Sequence, residues 1–158
     1  MKTLSDKMNI IRKHQQNTPV VMLPIAKELG LKVFYVDDWD RNGLSGMIKK
    51  DAEAEAGYSI FVNNKHNTQR KRFTIAHEIA HYLLHESEIG DGIVDDAMYR
   101  SGLTNIKEVE ANNMAANILM PWHLLSEYTT NSTVDDLANR FNVSRSAMSI
   151  RLGVPYEA

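Results

Sequence analysis

The chain has 158 residues, which is the size of one ordinary domain and excludes two large domains. Hydrophobic residues make up 43% and charged residues 24%, a composition typical of a folded globular chain rather than a disordered one. The 18 Lys and Arg residues nearly balance the 20 Asp and Glu residues, so no overall charge attracts nucleic acid or an anionic membrane.

The absence of cysteine excludes disulfides and thiolate nucleophiles, and it narrows any metal site to histidine and carboxylate ligands. No apolar run approaches the ~18 residues that span a bilayer. Residues 1–16 carry five charged side chains and lack the apolar stretch of a signal peptide. We therefore expect a soluble, cytoplasmic protein.

The first third of the chain predicts two short helices followed by a small sheet. Leu4, Met8 and Ile11 recur at helical spacing, and a second helical pattern over residues 23–29 ends at Gly30, a typical helix stop. Apolar and aromatic runs separated by polar connections then predict three antiparallel strands, at residues 33–36, 44–48 and 58–62.

Helices dominate the rest of the predicted structure. A long helix is expected from Thr68, as its N-cap, to about Glu86, and a second from Ile106 to Met120, ended by Pro121. The connection over residues 87–105 carries a short predicted strand at residues 97–100. Three further short helices are expected, at residues 122–128, 133–141 and 144–152.

The first long helix contains the sequence His77-Glu78-Ile79-Ala80-His81, an H-E-x-x-H element. Four residues are about one helical turn, so both imidazoles project from one face and can bind the same metal ion. Glu78 lies about 100° around the helix from His77 and can reach a water molecule at the metal. The pattern predicts a metal site with a general base.

Catalytic zinc sites use three protein ligands, so a third ligand must come from elsewhere in the chain. The second long helix offers Glu108 and Glu110, and His123 lies just beyond its end. Glu110 opens an amphipathic pattern and is separated from His81 by a loop long enough to turn the chain back. We expect Glu110 to complete the site, with Glu108 as the alternative.

These residues resemble the ImmA/IrrE family of metallopeptidases. The resemblance rests on the runs RFTIAHEIAHYLLH, YRS and EANNMAANILMP, at residues 72–85, 99–101 and 110–121. Flanking segments at 24–33 and 137–152 also resemble the family, so the likeness covers nearly the whole chain. Met114 stands where the family more often has Phe, an apolar exchange that leaves the site unaffected.

The resemblance implies a zinc-dependent peptidase that cleaves a helix-turn-helix repressor, commonly one of a mobile element or prophage. By motif position its metal ligands would be His77, His81 and Glu110, and its general base Glu78. Zinc would be the cofactor, although the sequence also leaves manganese and iron open. The implied function is therefore proteolysis that regulates transcription.

Several supporting roles remain open at this point. A second donor to the developing oxyanion is expected but not singled out among Tyr82, His85, Tyr99, Arg100 and His123. Asn113 or Asn117 could orient the ligand imidazoles, although packing or solvation is the simpler role for each. A substrate strand could add to the predicted strand at residues 97–100.

The C-terminal segment, residues 133–153, reads as helix, turn, helix, with Ser144 placed as a cap. Residues 133–152 carry three Arg against two Asp, which is far short of a basic recognition surface, so direct DNA binding is not expected. The three basic residues at 70–72 are typical of the solvated face of an amphipathic helix.

The sequence therefore predicts one α+β domain spanning residues 1–158, with the C-terminal helix pair as part of it. Its small three-stranded antiparallel sheet would pack on the H-E-x-x-H helix, with the second ligand-bearing helix alongside. The rival hypothesis is a non-proteolytic interaction protein, or a DNA-binding regulator, that keeps a metal only for stability.

Overall fold

A computed structural model describes residues 2–39, 44–90, 92–96 and 105–155. The α-helices described are α1 (Leu4–Lys13), α2 (Met22–Leu29), α3 (Thr68–Leu84), α4 (Asn105–Leu119), α5 (Trp122–Leu125), α6 (Val134–Phe141) and α7 (Arg145–Leu152). The strands described are β1 (Lys32–Val36), β2 (Leu44–Lys50), β3 (Tyr58–Asn63) and β4 (Ile93–Asp96), and a short 3₁₀ helix (Glu86–Glu88) follows α3.

The ends of the helices follow the local capping chemistry. The backbone of Gly30 is left-handed, with φ of 85°, and ends α2 as predicted. The N-cap of α3 is Asn67 rather than Thr68, because the Asn67 side-chain oxygen accepts a hydrogen bond from the Arg70 backbone N–H at 2.8 Å. The helix ends at Leu84, shortly before the predicted end, because the backbone of His85 is no longer helical.

The α+β class and the small sheet are confirmed, but the sheet is mixed and has four strands in the order β1-β3-β2-β4. β2 pairs antiparallel with β3 and with β4, whereas β1 pairs parallel with β3. The antiparallel pairing of β2 with β3 is as predicted, whereas the parallel pairing of β1 and the addition of β4 differ from the prediction. The strand predicted at residues 97–100 lies outside the described residues, and β4 ends just before it.

The parallel pair has a simple origin in the order of the strands. The short connection between β2 and β3 makes a hairpin, which leaves one edge of β3 open. β1 occupies that edge, so β1 and β2 follow each other in the chain but are not neighbours in the sheet. Apolar runs mark where strands form, but they do not state which edge each strand joins.

Helix α3 packs against β2 and β3 on one side and against α4 on another. Gly46 of β2 permits the close approach: a Cβ there would overlap Cγ2 of Thr74 and lie 3.1 Å from the Phe61 carbonyl oxygen. The same Cβ would lie 3.6 Å from Cγ of Glu78. Because glycine has no side chain, Gly46 allows the H-E-x-x-H helix to pack this closely on the sheet.

The C-terminal helix pair contributes to the same apolar core as the rest of the described chain. Phe141 of α6 and Met148 of α7 are fully buried in it. Arg72 of α3 donates to the Phe141 and Asn142 carbonyl oxygens at 3.1 and 2.9 Å, and burial lowers the pKa of its guanidinium. Arg72 therefore ties the turn between α6 and α7 to α3, contrary to the expectation that it belongs to a solvated face.

The described helices include none that is long and apolar enough to cross a lipid bilayer.

Candidate metal centre

Helix α3 places the two histidines of the H-E-x-x-H element side by side in the protein interior. His77 and His81 are 5% and 0% exposed, and their ring centroids lie 4.6 Å apart at a right angle. Every residue from Thr74 to Leu83 is buried. The one-turn spacing thus gives the shared face that the sequence predicted, inside a rigid, packed segment.

The carboxylate that meets this pair is Glu108, in the first turn of α4. One of its oxygens, Oε2, lies 3.3 Å from His77 Nε2, and the other, Oε1, lies 3.2 Å from His81 Nε2. Glu108 is 2% exposed. Within the described residues, the ligand atoms of His77, His81 and Glu108 all lie within 4.8 Å of one another. We call these three side chains the metal group.

This group has the ligand types of a zinc site, and its nitrogen–oxygen separations can be compared with those of such a site. Zinc ligands of the nitrogen and carboxylate type lie about 2.0–2.2 Å from the ion, so two of them at a tetrahedral angle are roughly 3.3–3.6 Å apart. The nitrogen–oxygen separations of 3.2 and 3.3 Å are close to that range. Two imidazoles and one carboxylate also match the protein ligands of a catalytic zinc site with one open position.

Glu110, the expected third ligand, lies elsewhere. Its side chain is 53% exposed, and its Oε1 atom contacts Nε2 of His85 at 3.1 Å. Two residues along an α-helix correspond to a rotation of about 200°, so Glu108 and Glu110 cannot face the same point. The structure brings Glu108, the alternative weighed from the sequence, to the histidine pair and turns Glu110 away from it.

Glu78 is fully buried on α3, next to the first histidine in sequence. A Cβ at Gly46 would lie 3.6 Å from Cγ of Glu78, so this side chain starts close to β2. A carboxylate in this position can accept a proton from a water molecule at the metal, the task for which the sequence singled it out.

The outer ring nitrogens of both imidazoles lie within hydrogen-bond distance of another side chain. His77 Nδ1 lies 2.8 Å from Oδ1 of Asn112, and His81 Nδ1 lies 2.9 Å from Nδ1 of His85. Asn113 and Asn117, which the sequence offered for orienting these imidazoles, with packing or solvation as the simpler role, are both exposed. A signal for Asn112 was present: it lies four residues, one helical turn, beyond Glu108.

The candidates for an oxyanion donor are dispersed. Tyr82 packs under Lys7, whose Nζ lies 4.0 Å from the centroid of the Tyr82 ring. Burial raises the pKa of the Tyr82 phenol. His123 Nε2 lies 2.8 Å from the Gln15 carbonyl oxygen. Tyr99 and Arg100 fall outside the described residues, and His85 contacts His81 and Glu110 as given above.

Comparison with known proteins identifies the family. The model of a peptidase family, described as the IrrE N-terminal-like domain, matches residues 26–153. The chain belongs to this family. The match includes α3, α4 and the C-terminal helix pair, so the three residues of the metal group all lie within the IrrE N-terminal-like domain.

A curated relative carries the same connection to metallopeptidases. The Radiation response metalloprotease IrrE of Deinococcus radiodurans is 33% identical over 93 residues, which are 56% of this chain and 28% of that protein. The chain thus matches little more than a quarter of its relative's length.

A solved structure shares the fold. A Mycobacterium tuberculosis transcriptional regulator superposes with a TM-score of 0.60 at 16% identity, over 96% of this chain and 47% of that one. At this level of identity the similarity establishes the common fold alone.

Proposed function

We propose that this IrrE N-terminal-like domain is a zinc-dependent endopeptidase, with His77, His81 and Glu108 as metal ligands and Glu78 as the general base. The observation that carries the proposal is the convergence of both Nε2 atoms on the two oxygens of one buried carboxylate. The ligand set differs in one residue from the set that the resemblance implied, because Glu108 takes the place given to Glu110.

His77, His81 and Glu108 would hold a zinc ion, which would supply the Lewis acidity that lowers the pKa of a water molecule and polarises the scissile carbonyl group. Glu78 accepts the proton that the attacking water loses and then passes it to the leaving amine. Its complete burial keeps bulk water from competing for that proton. The Nδ1 contacts of His77 and His81 hold the two imidazoles in place while Glu78 transfers the proton.

The substrate of the proposed reaction is a protein regulator, specifically a helix-turn-helix transcriptional repressor of a mobile element or prophage. This part rests on the family resemblance and on the metalloprotease relative. It implies that the chain acts in the cytoplasm, and that the C-terminal helix pair belongs to the peptidase domain rather than to a separate DNA-binding unit. Burial of Phe141 and Met148 in the common core supports the second implication.

The test compares new protein termini in cells that express the chain or its Glu78→Gln variant. Both proteins should hold about one zinc ion each, because Glu78 is not a ligand. We expect a helix-turn-helix protein to be cut only when Glu78 is present, and the same cut with purified components and zinc. Identical sets of termini, with zinc present in both proteins, would contradict the peptidase mechanism.

The second candidate is an interaction protein or transcriptional regulator that uses the metal for stability alone. Hydrogen bonds join the end of α6 to α3, and α7 to the residue that follows α4; this anchoring is the observation that favours a structural use of the metal-bearing core. Here Glu78→Gln would leave function intact, whereas loss of Glu108 would unfold the site and abolish function. The pair of variants therefore separates the two candidates.

A further inference from the structure

A series of three hydrogen-bonded side chains, His81, His85 and Glu110, leads from the metal group to the protein surface. His81 Nδ1 lies 2.9 Å from His85 Nδ1, and His85 Nε2 lies 3.1 Å from Oε1 of Glu110. His85 directly follows the last turn of α3 and is 4% exposed. Neither His85 nor Glu110 is a metal ligand or the general base of the proposed reaction.

Metal binding at His81 determines which atom donates and which accepts in each hydrogen bond of this series. If His81 offers the lone pair of Nε2 to the metal, its proton sits on Nδ1, which must then donate to His85. His85 accepts through its own Nδ1 and therefore carries its proton on Nε2. That N–H donates to Glu110, whose carboxylate can only accept. The two bonds are thus compatible with only one tautomer of each imidazole.

Such a series of hydrogen bonds can orient a ligand histidine. A carboxylate bonded to the outer nitrogen of a ligand histidine fixes the tautomer and ring orientation and makes the imidazole a stronger ligand. Here a second imidazole, that of His85, stands between Nδ1 of His81 and the carboxylate of Glu110 and transmits that effect. The 49° angle between the two rings, with centroids 5.2 Å apart, brings their Nδ1 atoms together.

Helix α4 then controls every part of the metal group. It supplies Glu108 itself, it orients His77 through Asn112, and it orients His81 through His85 and Glu110. The turn of the helix that places Glu108 toward the histidines places Glu110 where His85 reaches it. This explains why an acidic residue two positions beyond the ligand contributes to the site without touching the metal.

We propose that His85 and Glu110 are positioning residues that orient His81 for metal binding through a relay of two directed hydrogen bonds. The inference rests on the proposed metal site, since it takes His81 as a ligand through Nε2. It does not require that the chain cleave a peptide bond.

The test measures zinc affinity by competition with a chelator, using the full chain. His85→Phe keeps the ring volume but removes the acceptor, and we expect zinc affinity to fall roughly 10-fold to 100-fold. His85→Asn places an oxygen near the former Nδ1 position and should recover most of that loss. His123→Phe, at a histidine on α5 whose ring bonds to a backbone carbonyl, is the matched control and should leave affinity unchanged.

Glu110 gives a second, milder pair of variants on an exposed side chain. Glu110→Ala removes the last acceptor and should weaken zinc binding by up to about 10-fold, whereas Glu110→Gln keeps an acceptor and should stay within about 2-fold to 3-fold of the native chain. Because Glu110 is half exposed, both variants are expected to fold even if His85→Phe does not.

Nitrogen-15 NMR of the imidazoles reads the relay without any activity assay. In the zinc-loaded chain we expect the proton of His81 on Nδ1 and that of His85 on Nε2, with the His85 signal shifted in Glu110→Ala. A proton on Nδ1 of His85, native affinity in His85→Phe, or no rescue by His85→Asn would each overturn the relay.

The readouts also separate this inference from the proposed function. If the native chain binds zinc and the relay variants weaken binding while no protein is cleaved, the relay stands and the peptidase proposal fails. If the native chain binds no zinc after reconstitution, the metal site and the relay fail together. Cleavage with native zinc affinity in all four relay variants would sustain the peptidase and remove the relay.

Discussion

The two helices that form the candidate metal centre are held in very different ways. Helix α3 is buried over ten consecutive residues, Thr74–Leu83, so it is enclosed on every side. In α4 the buried residues form one stripe at helical spacing, while Ile106, Val109 and the side chain of Glu110 are exposed. The buried positions of α4 are Glu108, Ala111, Ala115, Ile118 and Leu119.

This difference explains how each helix presents its ligands. In α3 the spacing of two histidines along one helix sets their geometry, and the surrounding core fixes the helix. In α4 the ligand is set by how the helix is rotated about its axis, and a single stripe decides that rotation. Glu108 lies in line with Ala111 and Ala115, whereas Glu110 lies off the stripe.

The largest effect expected from this comparison is on metal content. Glu108→Ala removes one of the three proposed ligands, so we expect loss of stoichiometric zinc, as for His77→Ala. Glu110→Ala should retain about one zinc ion per chain at a protein concentration well above the dissociation constant, with affinity lowered by up to about 10-fold. Metal content by mass spectrometry on the untagged chains, purified in parallel, checks both outcomes.

Zinc lost from Glu110→Ala but retained in Glu108→Ala would reverse the assignment and restore the ligand set expected from the sequence. Asn113→Ala is a suitable control, because Asn113 is an exposed residue on the same helix. Its zinc content should equal that of the native chain.

The second prediction concerns the seat of α3 on the sheet. Gly46→Ala places a methyl group against Cγ2 of Thr74 and close to the Phe61 carbonyl oxygen, so something must move. We expect the free energy of unfolding to fall by about 1–3 kcal/mol, the usual cost of overpacking a core. Urea denaturation of the zinc-loaded chains measures the change.

Thr74→Ser sharpens this prediction because it removes Cγ2 and keeps the hydroxyl group. The double variant Gly46→Ala/Thr74→Ser should be more stable than the sum of the two single changes allows, which a double-mutant cycle reports as a coupling free energy. Additive effects of the two changes would show that α3 tolerates the extra methyl group by another route.

The contrast between the helices also explains what the sequence could and could not predict. The histidine pair His77 and His81 and the proposed base Glu78 follow from spacing within one helix, which needs no knowledge of the rest of the fold. The third ligand needs the rotation of α4 against α3. The buried stripe through Ala111 and Ala115 carries that information, but an exposed carboxylate and a buried one look alike in the sequence.

The sheet shows the same limit on a larger scale. Three of its strands were predicted close to their observed positions, since apolar runs bounded by polar connections mark strands. The parallel pairing of β1 was not predicted, because the neighbour of β1 depends on which edge of the β2–β3 hairpin is open. Local patterns define the elements, and contacts between distant residues decide how those elements are arranged.

The third prediction tests the contact from α4 to the first ligand. Asn112→Ala removes the acceptor 2.8 Å from His77 Nδ1, and we expect zinc affinity to fall roughly 10-fold. This is the lower end of the usual range, because Asn112 is only partly buried and water can replace the amide. Asn112→Asp keeps an acceptor and should bind zinc at least as tightly as the native chain, which chelator competition can verify.

The smallest expected effect lies where the chain enters α3. His66 sits in the turn between β3 and α3, and its Nε2 lies 3.4 Å from Nδ2 of Asn63. Burial lowers the pKa of its imidazole below the ordinary value of 6.5, and the positive charge of Arg70 adds to the shift. The folded state therefore binds a proton at His66 less readily than the unfolded state does.

The sign of the pH dependence follows from that difference. Near pH 6.5 and below it the unfolded chain binds more protons at His66, so the free energy of unfolding decreases as the pH falls from about 6.5 to the lower pKa of the folded state. Above about pH 7.5 this contribution is absent. His66→Asn removes the titrating group and should make the stability fall less on acidification from about pH 7.5 to about pH 5.5. Chemical denaturation of both chains at the two pH values isolates His66, because every other histidine is common to them; a steeper fall in His66→Asn would show that the imidazole is stabilised, not penalised, by its charge in the folded state.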